Sequence, residues 1–229
     1  MAGGFHGFSE EALRFLADLR ENNDKTWFDA HREDFDRHVV EPSRSFVTSL
    51  GERVKRVQPR IVADPRTNGS IFRIYRDTRF SRDKSPYKTH VGIFLWEGPG
   101  SKMENPGFYV HFEEEYFLAG EGLYIFPKDT LPAYREAVVR EETGGKLASI
   151  LHDVGEKGYD VGGRHYRRTP RGYDPAHPRA DLLLFKGLHA GRGGPIPDQF
   201  FGPELLSYCE GIFLDLLPLH RWLLKLVTG

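Results

Sequence analysis

The spacing of apolar side chains changes at Ile71, and that change limits the chain to a fold using both helices and sheet. Upstream the spacing is helical. Ser9 is placed to cap a helix over Glu10 to Arg20, in which Leu13, Leu16 and Ala17 share a face and Glu10 and Glu11 sit in the first turn. A second helix is expected from about Thr26, burying Trp27, Phe28, Phe35 and Val39, until the Pro42 region interrupts it. Pro42 then suits the first turn of a third helix through Phe46, Leu50, Val54 and Val57.

From Ile71 onward, β-branched and aromatic residues alternate between Gly, Pro and Asp clusters, which predicts antiparallel strands near 70–77, 87–96, 107–115 and 117–126. Asp129 can cap a helix to about Glu142, and Lys146 to Glu156 forms another. Pro203 opens a last apolar helix carrying Leu205, Cys209, Ile212 and Leu216, kinked or restarted at Pro218. Between them lies a Gly-, Pro- and Arg-rich segment with short strands expected at Tyr159 to Arg168 and Leu182 to His189. The pattern predicts one α+β domain over 1–229: residues 1–60 helical, 68–127 antiparallel strands forming a central sheet, and 128–229 helices packed on it plus the loop-rich segment.

A chain of 229 residues with 39% hydrophobic composition can build a sizeable core. Cys209 is the only cysteine, which rules out an intrachain disulfide and a cysteine zinc site and fits a reducing compartment, so cytoplasm is expected. The residues from Met1 to Phe8 lack a signal-peptide pattern, and no run approaches the roughly 18–20 apolar residues of a membrane span. A soluble protein without a membrane partner is expected.

The net charge of -1 conceals two basic segments. Residues 71–90 carry Arg73, Arg76, Arg79, Arg82, Lys84 and Lys88 against Asp77 and Asp83, an excess of four. Residues 160–192 carry an equal excess, with Arg164, Arg167, Arg168, Arg171, Arg179, Lys186 and Arg192 against three aspartates. Local positive charge on an acidic body suits a confined anion site better than a broad nucleic-acid surface.

If 71–79 is a strand, Arg73, Tyr75, Asp77 and Arg79 share one face. Arg73 and Arg79 then stand about 20 Å apart at roughly 3.3 Å per residue, so one small anion cannot touch both. The turn Ser81 to Pro86 returns Lys88 and His90 beside them. Guanidinium forks and lysine point charges recognise phosphate or carboxylate, and Tyr75 or Tyr87 can stack or donate. His90 and His111 are the acid or base candidates, both on expected strands and of a type that titrates near neutrality. The competing expectation is structural: Asp77 and Asp83 pair with arginines to fix the hairpin, leaving four cations for solvent, other acids or a ligand.

The pattern Arg73-x-x-Arg76-Asp77-x-Arg79-Phe80-x-x-Asp83-Lys84-x-x-Tyr87 resembles the signature of the domain-of-unknown-function 2461 family of bacterial and some fungal proteins. The likeness extends to Phe5-x-Gly7-Phe8-Ser9, to Asn22-Asn23-x-x-x-Trp27-Phe28-x-x-His31-Arg32, and to the run from Gly172 to Leu183. It implies that Arg73, Arg76, Asp77, Arg79, Asp83, Lys84 and Tyr87 belong to the family's characteristic feature, and it implies no reaction.

Other motifs carry less. His31 and His38 lie two helical turns apart with Asp34 between them, but no third metal ligand is specified, and no metal is assigned. The run Gly191 to Pro195 lacks the Lys-Ser/Thr of a phosphate loop, and no pattern specifies a cofactor. The segment Gly172 to Asp181, with His177 and Arg179, either closes over the first basic segment or forms an ordered surface loop. The sequence thus points to a small anionic ligand, phosphate- or carboxylate-bearing, at a site built from Arg73, Arg76, Asp77, Arg79, Asp83, Lys84, Tyr87, Lys88 and Arg179, with His90 or His111 as acid or base. Catalysis is left open. The alternatives are a non-catalytic module for single-stranded nucleic acid or an acidic protein, for which the acidic remainder of the chain is unfavourable, and a purely structural Arg/Asp network.

Overall fold

The N-terminal helices start after short polar residues, of which Asp24 caps with its side chain and Ser9, contrary to expectation, does not. A computed structural model describes residues 4–229. Helix α1, Glu10–Glu21, follows Ser9, and α2, Lys25–Ala30, follows Asp24, whose carboxylate accepts the Trp27 N–H at 3.0 Å. Helix α3, Arg32–Phe35, passes through a π turn, Asp36–Val40, directly into α4, Glu41–Lys55. Pro42 therefore does not break the chain's course, contrary to expectation. The widened turn in front of it accommodates a residue that lacks an N–H and whose ring clashes with the carbonyl four positions back in a regular helix.

Five strands follow: β1 Val91–Trp96, β2 Gly107–Phe112, β3 Phe117–Leu123, β4 Asp160–Arg164 and β5 Phe185–Gly194. They form an antiparallel sheet in the order β1-β2-β3-β5-β4, giving the α+β layout that the periodicity predicts. Gly122, at φ +149, is required where β3 meets β5, because a Cβ there would stand 2.4 Å from the Cα of His189.

The expected strand at 70–77 is not a continuous ladder. Isolated bridges join Ile71 to Ile93 and Tyr75 to Tyr87. At the first, Phe72 N–H donates to Gly92 and Phe94 N–H to Ser70; at the second, Arg76 N–H donates to Pro86 and Lys88 N–H to Ile74. A segment that exchanges one partner for another within four residues cannot keep one register.

Helices α5, Thr130–Val139, and α6, Glu141–Glu156, occupy the stretch after β3. The helix expected to reach Glu142 stops three residues earlier because Arg140 is extended, and α6 starts at once and runs through Gly144 and Gly145. Helix α7, Glu204–Thr228, is continuous through Pro218 rather than restarted. The carbonyl deprived of its N–H partner belongs to Leu214, which is 45% exposed, so water can satisfy it.

The chain divides into two compact units. The first holds the residues up to Leu95 with Tyr109–Ala119 and Gly193–Gly211, and the second holds Trp96–Phe108, Gly120–Arg192 and Ile212–Gly229. The first unit's core is aromatic: the Phe8 ring lies 4.6 Å from Phe112, 5.0 Å from Phe200 and 5.7 Å from Phe46. In the second, Phe126 stacks on Tyr134, and Phe108 lies between Phe213 and His220. Buried His220 holds Glu121 through Nδ1 at 3.1 Å and approaches Glu97 through Nε2 at 3.7 Å. Burial pushes the Glu121 carboxyl up, and the imidazole opposes that rise.

Phe8 joins the segment before α1 to strand β2 and the Phe200 region, so Phe8→Ala should cost about 3–5 kcal/mol in denaturant unfolding. A loss below 1 kcal/mol would show that the N-terminal segment is not part of the core.

Candidate functional site

The basic segment is held against the helices from inside. Asn23, between α1 and α2, donates from its side-chain amide to the Tyr87 carbonyl and accepts from the Tyr87 N–H, both at 3.0 Å. The Tyr87 ring is 2% exposed and stacks on Phe28 of α2 at 4.2 Å, with Tyr75 5.3 Å away. Tyr87 thus anchors the hairpin.

The turn beyond it is crosslinked by its own charges. Arg76 pairs with Asp83, whose other oxygen accepts the Ser85 N–H and hydroxyl at 2.9 and 2.6 Å. Arg79 forks onto Asp77 at 2.9 and 2.7 Å. The Arg79 guanidinium and N–H hold the Asp77 carboxyl at about 2, and Arg76 and Ser85 hold Asp83 well below the usual carboxylate range. Lys84 donates to the Thr78 carbonyl at 2.9 Å, and Lys88 to that of Arg73 at 3.0 Å. Among the described residues, Arg73 and Arg82 have no ion-pair partner.

Arg73 lines a cleft of about 380 Å³ in the first unit. One wall is helical: Phe28 of α2, Arg32 of α3, Asp36 and Val39 of the π turn, and Glu41 and Arg44 of α4. The other comprises residues 71–75 with His90 and Val91. Arg32 is 3.9 Å from Asp36, a loose contact, and Arg44 has no ion-pair partner among the described residues. The cleft therefore joins three guanidiniums to apolar walls from Phe28, Phe72 and Ile74. Such a space can enclose a small anion and shield it from water.

His90 and His111 come together, with ring centroids 4.5 Å apart. His111 Nδ1 lies 3.1 Å from the Tyr109 hydroxyl, and His90 lines the cleft. Burial, then His111, Lys88 and Arg76, bring His90 down to about 4. Burial also lowers His111, with Glu113 opposing. Lys88 is lowered by burial and by Arg73. A neutral imidazole beside fixed positive charge can accept a proton or a hydrogen bond.

The remaining candidates fall elsewhere. Arg76, Asp77, Arg79, Asp83, Lys84 and Lys88 make the crosslinks described above and do not line the cleft. Arg179 belongs to the second unit, where Nε donates to Val138 at 2.8 Å, Nη2 to Val139 at 3.2 Å and Nη1 pairs with Glu141 at 2.9 Å. It caps the C-terminal end of α5, where a cation and donor are favoured. His31 stacks on Trp27 at 4.1 Å with Nδ1 2.8 Å from the Trp27 carbonyl. Among the described residues no group of three or more His, Cys, Asp or Glu is placed to hold a metal ion, and no helix is long and apolar enough to cross a membrane. Burial pushes the Cys209 thiol up, away from nucleophilic character. Sequence patterning missed Arg44, whose only signal is a charge one helical turn beyond the π turn.

Together these features define an α+β protein with a partly apolar, arginine-bearing cleft between its N-terminal helices and a charge-crosslinked hairpin. The chain belongs to the conserved hypothetical protein family DUF2461, whose profile matches residues 11–222. The match takes in the hairpin and the helical wall. No curated protein matches the chain.

The lowered His90 gives a pH signature. Below pH 6.5 the unfolded chain binds a proton that native His90 refuses until about pH 4, so its stabilising contribution is complete above 6.5 and is lost as pH falls toward 4. An NMR titration should place the His90 midpoint near 4, and His90→Asn should flatten the fall in unfolding midpoint across that window. A midpoint near 6.5 would mean a solvated ring.

Proposed function

We propose that the protein binds a small anionic compound, phosphate- or carboxylate-bearing, in the cleft between α2–α4 and the hairpin. The observation that carries this reading is Arg73: a guanidinium on the cleft wall with no carboxylate partner, while both acids of its own segment are engaged by Arg76 and Arg79. The helical wall adds Arg32 and Arg44 together with the carboxylates of Asp36 and Glu41, so the unbalanced charge of the lining is that of Arg73. The apolar side chains facing them favour a ligand with an organic body behind its anionic group. Of the acid and base roles expected for His90, its neutral imidazole suits that of a base or hydrogen-bonding group toward a bound ligand, with the His111 ring beside it. In this reading Arg76, Arg79, Lys84 and Lys88 act by holding the hairpin, and Tyr87 by anchoring it.

A thermal-shift and calorimetric screen of phosphates, sugar phosphates and carboxylates tests the proposal. A ligand at about 100 times its dissociation constant adds about 2.7 kcal/mol of stability. Arg73→Gln should weaken binding roughly tenfold to a hundredfold, the worth of about 1.5–3 kcal/mol for a charged hydrogen bond. Arg82→Gln removes a cation that is equally unpaired but outside the cleft, and it should leave affinity unchanged. Equal losses in both variants would reduce the effect to general electrostatics and sink the assignment.

A second reading rests on Phe80, which is 95% exposed at the hairpin tip with the Arg79 guanidinium 5.8 Å from its ring centroid. An exposed aromatic flanked by cations suits a stacking contact with single-stranded nucleic acid. Fluorescence anisotropy with a mixed oligonucleotide at low salt should then show binding that Phe80→Ala reduces at least fivefold, as expected for about 1–3 kcal/mol per stacked base. Absence of binding at low salt removes this reading.

A further inference from the structure

The second unit contains another concentration of positive charge. A cavity of about 570 Å³ is lined by Arg164, Arg167, Arg168 and Arg171, with Thr169 and Tyr173 beside them. Its one lining carboxylate, Asp181, is 3.3 Å from Arg164. Arg167, Arg168 and Arg171 have no ion pair or hydrogen-bond partner among the described residues. Behind the loop, Arg135 packs its guanidinium 5.1 Å from the Tyr166 ring, and its Nε is buried without a partner. Like charges lining one cavity repel to the extent that water does not screen them, and a bound anion relieves that repulsion.

The loop that carries these arginines is fixed at both ends and in the middle. The N–H groups of His165 and Tyr166 both donate to the Leu184 carbonyl at 2.9 Å. Tyr173 donates its hydroxyl to Glu136 at 2.7 Å, and the Ala176 N–H donates to the Asp174 carboxylate at 2.8 Å. At the far end, Arg179 binds the last carbonyls of α5, and Tyr134 donates to Leu182 at 2.9 Å. Pro170 and Pro175 restrict the backbone between these anchors. Binding therefore has to order side chains and not the loop, which removes much of the usual entropic penalty.

The side-chain chemistry narrows the ligand. The lining has four arginines and no lysine, the choice expected where planar two-point contact with oxyanions matters. A carboxylate brings one charge to three unpaired guanidiniums, and a single phosphate monoester brings about -1.5 to -2. Two linked phosphates supply enough charge for all three and spread their oxygens over several guanidinium forks. The volume is also that of a small-ligand site, within about 300–1,000 Å³.

We propose that the cavity at Arg164, Arg167, Arg168 and Arg171 is a second anion site that takes compounds carrying two or more linked phosphates. It stands on residues separate from those of the cleft at Arg73, so either site can fail without the other.

Isothermal titration of the full chain with inorganic pyrophosphate, at about 150 mM salt to suppress loose ion pairing, tests this directly. Pyrophosphate should bind at least tenfold more tightly than orthophosphate or sulfate. The double variant Arg168→Gln, Arg171→Gln alters only exposed side chains and should raise the dissociation constant at least tenfold, while Arg82→Gln, which lines neither the cleft nor this cavity, leaves it unchanged. Adenosine diphosphate separates two sources of the same chemistry: tighter binding than pyrophosphate assigns a nucleotide, and equal binding assigns the phosphates alone. The proposal is overturned if pyrophosphate gives no heat, if the double variant binds it as well as the native chain, or if sulfate matches it. It is equally overturned if the double variant loses affinity for an oligonucleotide but not for pyrophosphate.

Discussion

The cleft depends on a single side-chain amide. Asn23 offers one donor and one acceptor, and Tyr87 presents the matching carbonyl and N–H, so the loop between α1 and α2 meets the hairpin as a strand edge would meet its neighbour. The Tyr87 ring then lies on Phe28, and its bridge to Tyr75 fixes the opposite limb. Arg73 follows two residues before Tyr75 and is carried onto the cleft wall by that chain of contacts. An amide that held only one of the two groups would leave the other buried and unpaired, at about 1–3 kcal/mol. Asn23 and Tyr87 are 64 positions apart, yet this pair sets the relation between helical wall and hairpin.

Charge within the hairpin is arranged so that most of it is spent locally. Each aspartate takes one arginine, and each lysine turns its ammonium to a backbone carbonyl. These contacts are exposed and add little stability individually, but they restrict the turn to one shape. What they leave over is selective: Arg73 faces the cleft and Arg82 does not. His90 adds no charge at neutral pH, because burial and the neighbouring cations keep its imidazole deprotonated. The cleft thus sets three guanidiniums that cannot lose their protons against two carboxylates, with a ring beside them that can gain a proton.

Much of the fold is written in local pattern. The helices of the first quarter, the three strands of the middle and the long apolar helix from Glu204 follow from the spacing of apolar residues, although neither Pro42 nor Pro218 interrupts its helix as expected. The departures have causes distant in sequence or below its resolution. Helix α5 ends at Val139 where Arg179, some forty positions on, takes its last carbonyls, and neither residue announces this alone. The π turn before Pro42 depends on how one helix continues into the next, which an apolar repeat does not encode. Segment 70–77 alternates like a strand but divides its bonds between two partners. At the site, the surplus of cations over acids was legible, but the identity of the unpaired ones was not. Alternation places Arg73, Asp77 and Arg79 on one face, whereas the turn brings Asp77 to Arg79 only. Arg44 escaped notice because a charged residue on a helix usually means solvent.

Counting charge by segment therefore measures something coarser than a site. Residues 71–90 and 160–192 have the same excess of four, yet they use it differently. In the first, acids two and seven positions from their arginines fall within reach once the chain turns, and the unspent charge reduces to single residues whose position decides their role. In the second, Asp160 lies on strand β4, Asp174 caps its own turn and Asp181 meets only Arg164, so three arginines stay together and uncompensated around one cavity. The difference lies in whether a rigid frame brings a carboxylate to each guanidinium. Where it does, basic residues build structure; where it does not, they leave a surplus of positive charge facing solvent.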